Sequence, residues 1–184
     1  ILSADLRNPQ EVEKLIAETF DINHQLDIVV NNAAIQNVEN LSEIDSDSWD
    51  AVLETNLRSV HLVMRAALPA LEKSKNASVV NIVSIEGHQP ARGHSHYSAS
   101  KAALLMLTKS AALEYANLGI RVNSVSPGLI DDGNLKERWP EGLDRWLNSA
   151  PLGRVGDPKD IADAVVFLSS PMASWITGSD LVVD

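Results

Sequence analysis

An α/β fold built on a parallel sheet covered by helices is what this sequence predicts. Short β-branched runs alternate with longer helical patterns along the chain. The strand-like runs are apolar on both faces, as strands buried inside a parallel sheet are. Apolar residues make up 45% of the 184 and aromatics only 4%, so the core must be Ala, Val, Leu and Ile. That length suits a single domain over residues 1–184 with a real core.

The elements follow in order. "ILSA" reads as the end of a strand. "NPQEVEKLIAETF" is a helix with Asn8 at the N-cap, Pro9 in the first turn and Glu11 three residues after the cap. Val12, Leu15, Ile16 and Phe20 fall on one face of it. "LDIVVNN" is a buried strand. A long helix runs from about Asp47 to about Ser74, and Pro69 marks a kink or a late break. Asp45, Asp47 and Asp50 are ordinary partners of its N-terminal dipole. "SVVNIVS" is the next strand. Ser95 to Leu118 reads as a helix closed by Gly119. "IRVNSVS" is a strand ending at Pro127-Gly128. "DPKDIADAVVFLSS" repeats the helix-start signal with Asp157 and Pro158, and "SDLVVD" is the last strand.

Composition narrows the function classes. The formal charge is −10 and Lys/Arg form no dense run, so no nucleic-acid partner is expected. The longest apolar runs are far below a membrane span, and no membrane partner is expected. The start "ILSADLRNPQ" has no basic region followed by a long apolar one, so it does not read as a signal peptide. The absence of Cys excludes disulfides, thiolate metal sites and a Cys nucleophile, and is compatible with the cytoplasmic location we expect. The helix around Ala102 to Leu113 is apolar nearly all round. The sheet can cover one side; its own neighbours or a second subunit must cover the other.

The chemistry concentrates in "SIEGHQPARGHSHYSASK", Ser84 to Lys101. Tyr97 and Lys101 stand at i and i+4, so they share a helix face and can meet. A phenol titrates near 10, and a nearby ammonium favours the phenolate. Reaching about 7 takes about 4 kcal/mol of differential stabilisation, more than one hydrated lysine supplies. A desolvated site with further positive charge would do it. Ser84 lies at the C-terminal end of its strand, the edge at which open parallel sheets bind ligands. Its hydroxyl can donate to a carbonyl or accept from an alcohol. Asn56 sits mid-helix, where bent hydrogen bonding to hold a water for Lys101 would explain it. Taken singly, each also fits a plainer role: Ser84 a loop cap, Tyr97 a surface aromatic, Lys101 solvated, Asn56 exposed.

Together these residues resemble the short-chain dehydrogenase/reductase family over essentially the whole chain. The marks are "NNAA" at Asn31 to Ala34, Asn56 in "ETNLRSVH", Ser84 thirteen residues before "YSASK", "RVNSVSPG" at Arg121 to Gly128, and "PLGRVGDPKDIADAVVFLSS". The resemblance implies a doubly wound, Rossmann-like sheet and an NAD(P)-dependent oxidoreductase that interconverts a small-molecule secondary alcohol and a ketone. Tyr97 would be the general acid/base and Lys101 would lower its pKa and hold the nicotinamide ribose. Ser84 would orient the substrate oxygen, and Asn56 would keep a water in the proton relay. Asp5 and Leu6 match positions at the adenine, Asn32 one at the adenosine ribose, and Pro127, Gly128 and Ile130 the turn beneath the nicotinamide. The full-length protein is expected to be a homodimer or homotetramer.

The family's opening strand and T-G-x-x-x-G-x-G turn, which carries the pyrophosphate, have no counterpart here. The second strand, whose end divides NAD from NADP, is missing too. We therefore expect a partial domain, truncated at both ends and without the first two strands and first helix. "ILSA" would then lack a neighbour, the next strand would expose an edge, and the chain alone would turn over little. Ala34 replaces a usual Gly, and Asp132 stands where many members have Thr. A catalytically silent module of the same fold is the alternative, and a dehydratase or epimerase a third reading. His88, His94 and His96 could suggest a metal, but His-x-His needs a third ligand, and none is expected. Trp139 and Trp146 wall an apolar pocket or only pack down a lid.

Overall fold

The computed structural model describes every residue except Asp132. Helix α1 (Pro9–Asn23) starts where Asn8 accepts from the amides of Gln10 and Glu11 and ends at His24 in the left-handed region, φ 53°. Strand β1 (Ile28–Asn31) follows, then α2 (Ser46–Leu53), a π turn (Glu54–Arg58) and α3 (Ser59–Leu71). Strand β2 (Ser78–Ile82) leads through a 3-10 turn (Ile85–Gly87) to α4 (Ser95–Tyr115). Gly119, at φ 73°, reverses the chain into β3 (Arg121–Pro127). Short helices α5 (Leu135–Arg138) and α6 (Pro140–Ser149) precede α7 (Pro158–Ser169) and β4 (Asp180–Val183).

The four strands are all parallel, in the order β1-β2-β3-β4. Strand β2 explains the two-sided burial. Val79 joins Val12, Met64, Leu71, Leu104 and Val122 on the face covered by α1, α3 and α4. Val80 joins Val125, Ala164 and Leu168 beneath α7. Helices on both faces make the sheet doubly wound, with every crossover returning the chain to the same edge.

The structure corrects three expectations. "ILSA" forms no strand: residues 1–4 have no neighbour to pair with, and isolated strands leave their backbone groups unpaired. "LDIVVNN" is buried on one face only. As the sheet's edge, β1 turns Val29 inward and leaves Ile28 and Val30 exposed. The long helix from Asp47 to Ser74 is interrupted by the π turn and stops at Leu71, two residues past Pro69. On α4, Leu104, Thr108, Ala111 and Ala112 are buried, but Met106 and Leu113 face outward.

Candidate active site

The C-terminal ends of β1, β2 and β3 carry the residues singled out in the sequence. Ser84 follows β2 with an extended backbone, is 9% exposed, and its hydroxyl accepts from the Glu86 amide at 3.1 Å. Tyr97 lies in the first turn of α4 and Lys101 one turn further on. Lys101 is 2% exposed; its Nζ donates to the Ile82 carbonyl at 2.8 Å and lies 5.6 Å from the Tyr97 ring centroid. An ammonium at that distance from a ring is attracted by its π-face. With no carboxylate partner among the described residues, burial brings the Lys101 pKa down to about 8.

Burial also pushes the Tyr97 phenol up; the Ser84 hydroxyl facing it acts the other way, and the negative charge of Glu86 pushes it further up. In the protein by itself the phenol thus starts above its ordinary value.

Asn56 is 1% exposed and fully engaged. Its Oδ1 accepts from the Ile35 amide at 2.8 Å, and its Nδ2 donates to the Ile35 carbonyl at 2.9 Å and to Ser100 Oγ at 3.1 Å. Ser100 Oγ in turn donates to the Tyr97 carbonyl at 2.7 Å. The side chain therefore pins the loop after β1 to the first turns of α4. The bent hydrogen bonding expected there is present: in the π turn the Ser59 amide reaches the Glu54 carbonyl.

The positions matched to a dinucleotide divide between two ends of this edge. Asp5 is exposed, and its carboxylate accepts from the Arg7 backbone at 3.0 Å and the guanidinium at 2.8 Å, which holds its pKa near 2. Leu6 packs on the main core, and Asn32 is exposed just past β1. Pro127 closes β3 and Gly128 follows it. A Cβ on Gly128 would lie 2.0 Å from the exposed Asp184 carboxylate, so a larger residue there would have to displace that side chain. Ile130 pairs with Gly156. Between the two ends stand Ser84, Tyr97 and Lys101. Lys101 uses one of three N–H bonds on Ile82, which leaves two for the hydroxyls of a ribose. This donor set fits the nicotinamide-ribose half of NAD or NADP. No glycine cluster in the chain fits the pyrophosphate.

Comparison with known proteins follows the same lines. A family model described as Enoyl-(Acyl carrier protein) reductase matches residues 1–184. The 3-oxoacyl-(acyl-carrier-protein) reductase FabG of Vibrio cholerae is 36% identical over 183 residues, 100% of this chain and 75% of the relative. The chain belongs to the short-chain dehydrogenase/reductase family. The FabG of Thermotoga maritima is 34% identical over 95% of the chain and 71% of its own length. Among solved structures, the aldohexose dehydrogenase of Thermoplasma acidophilum, in ligand-free form, superposes with a TM-score of 0.94 at 32% identity. It is matched over 100% of this chain and 76% of its own.

Within this short-chain dehydrogenase/reductase the remaining candidates separate. His88 Nε2 lies 2.8 Å from Asp180 and His94 Nδ1 3.0 Å from Glu86. His96 is fully buried with its Nε2 4.0 Å from Glu39 and neither ring nitrogen hydrogen-bonded among the described residues, so the three imidazoles lie beside three different carboxylates. Trp139 packs on α6: a Cβ on Gly142 would lie 1.8 Å from its ring, and Arg145 sits 5.9 Å above it. Trp139 thus braces the start of α6. Ala34 does not have a positive φ, so Ala costs little there. Asp132 lies outside the described residues. Sequence reasoning missed Glu86, Gln36, Ser98 and Ser100. Glu86 lies two residues past Ser84 and was legible by position; Gln36 joins it across 50 residues and leaves no spacing signal.

Proposed function

We propose that this short-chain dehydrogenase/reductase interconverts a small-molecule secondary alcohol and a ketone with NAD or NADP. The observation that carries the reading is the buried Lys101 ammonium 5.6 Å from the Tyr97 ring centroid on one helix face, with Ser84 at the adjoining end of β2. In reduction, Tyr97 Oη gives its proton to the substrate oxygen while the Ser84 hydroxyl donates a hydrogen bond to that oxygen. In oxidation the same proton returns to Tyr97. Asp5, Leu6, Asn32, Pro127, Gly128 and Ile130 would line the dinucleotide, and the free N–H bonds of Lys101 would hold its ribose. When bound, the dinucleotide supplies or accepts the hydride.

The phenol starts above its ordinary value, so its activation falls to Lys101 together with a positive charge brought in by the bound ligand. The Asn56 side chain is spent on Ile35 and Ser100; any water in the relay is then held by backbone carbonyls of the π turn. The names of the similar proteins span acyl thioester reduction and sugar oxidation, and both substrate classes are compatible with this chemistry. We assign a homodimer or homotetramer to the full-length protein. Met106 and Leu113 on α4, and Val166, Met172 and Trp175 around α7, expose apolar surface of the kind that marks association.

The test is Tyr97→Phe under saturating dinucleotide, reading ketone reduction in a single turnover. Loss of the proton donor lowers the rate by about 10²- to 10⁴-fold. A variant within a few-fold of the parent would overturn the reading.

A further inference from the structure

Beside the proposed reacting pair stands a polar cluster that the proton chemistry does not use. Glu86 is its hub. His94 Nδ1 lies 3.0 Å from both carboxylate oxygens, Gln36 Nε2 donates at 3.3 Å, and Ser98 Oγ donates at 3.2 Å. The Glu86 and His94 side chains are 16% and 18% exposed, so both are largely withdrawn from water. Three separate segments contribute: the loop after β1, the turn after Ser84, and the start of α4. The cluster flanks the site directly, since Glu86 comes two residues after Ser84 and the His94 ring stands edge-on to Tyr97 at 6.3 Å. Withdrawing a carboxylate from water is costly unless it is paired and hydrogen-bonded. A wall that only enclosed an apolar ketone would be cheaper in Leu or Val.

Proton placement says what this wall can recognise. A carboxylate only accepts, so the His94 nitrogen facing Glu86 must carry the proton. The Gln36 amide, 3.3 Å from that same nitrogen, therefore serves Glu86 and not the ring. In the neutral imidazole this leaves Nε2 as a bare acceptor, and it has no hydrogen-bond partner among the described residues. Its natural partner is a donor on the ligand. A carboxylate or phosphate has no proton to give, and in an alcohol or ketone substrate of the proposed reaction the donor at hand is a further hydroxyl.

We infer that Glu86 and His94 are specificity-determining residues that select a polyhydroxylated substrate, a sugar or polyol. A second hydroxyl of the substrate donates to His94 Nε2, and Glu86 fixes the tautomer that makes this possible. The inference rests on Ser84 and Tyr97 being the reacting pair.

Myo-inositol and cyclohexanol share a ring and differ in their hydroxyls, so they serve as probes. Binding to the full chain is followed by titration calorimetry and by the imidazole ¹⁵N resonances of His94. Inositol should bind tighter by up to about tenfold, the worth of one neutral hydrogen bond at the upper end of its range, and should shift the His94 Nε2 signal. His94→Ala should erase the preference for inositol over cyclohexanol, and His94→Gln, which retains an amide acceptor, should restore part of it. Equal affinity for the two alcohols, an unshifted imidazole, or a preference that survives His94→Ala overturns the inference. The wild-type resonance shift needs no variant, so misfolding of a mutant cannot mask the answer. Tyr97→Phe separates the two readings. If it keeps turnover, the redox assignment fails whatever the inositol preference; if it loses turnover while inositol shows no preference, only the selectivity assignment fails.

Discussion

Lys101 is the residue at which sequence and environment disagree most usefully. The i, i+4 spacing made its pairing with Tyr97 legible, because a helix turn is a local property. Burial was not legible, and burial sets its charge: with a pKa of about 8 against 10.5 for a free lysine, the folded state disfavours the ammonium. Between those values the unfolded chain holds more protons, so stability rises with pH across that window. Below about 8 the full cost is present; above 10.5 it is gone. The size of the change is about 3 kcal/mol. Urea unfolding of the parent and Lys101→Met at pH 7, 9 and 10 should show the parent gaining on the variant by an amount of that order. The Tyr97 phenol also titrates at the upper end, but it is present in both chains and cancels. A constant difference across the series would show that the ammonium is not desolvated.

Among the elements, the π turn inside the long helix matters most. From sequence, Asn56 reads as a flaw in a helix, and the bend was anticipated from it. Its partner Ile35 lies 21 residues upstream, and no spacing rule connects the two. The amide pairs with both backbone groups of Ile35 as a neighbouring strand would, and passes the connection to Ser100 on α4. Asn56→Ala strands those two backbone groups in a half-buried loop. At about 1–3 kcal/mol for each unsatisfied group, the variant should unfold about 3 kcal/mol more easily. Chemical denaturation checks this, and a loss below about 0.5 kcal/mol, the scatter of an ordinary surface substitution, would mean water replaces the clamp at no cost. The strands were the easier elements to read. Val79 and Val80 face opposite layers, which is why β2 looks apolar throughout, whereas β1 looks the same in sequence but has a covering layer on one face only.

At the scale of the whole molecule, the crossovers bring Ser84, Tyr97, Lys101 and Gly128 to one edge of the sheet, as the order of strands and helices foretold. The same order foretold that β1 would be an edge. In the proposed reading the groups along that edge would serve the ribose half of a dinucleotide, and the nine glycines include no clustered turn for its phosphates. NADH fluorescence quenching by this chain should therefore report binding weaker than micromolar. Micromolar affinity would mean that the edge residues suffice without a glycine-rich turn. The Glu86 cluster shows the limit of reading a sequence here: its four members span residues 36 to 98, and only folding brings them together.

The Asp180 carboxylate, at the start of β4, accepts from Ser124 and Ser126 on β3 and meets His88 on the stretch that follows Ser84. Asp180, on the last strand of the sheet, thus ties down the segment that positions the proposed proton chemistry. That segment stays untethered in any folding intermediate whose β4 has not yet docked on β3, so such an intermediate would keep most of the core and lack the catalytic register.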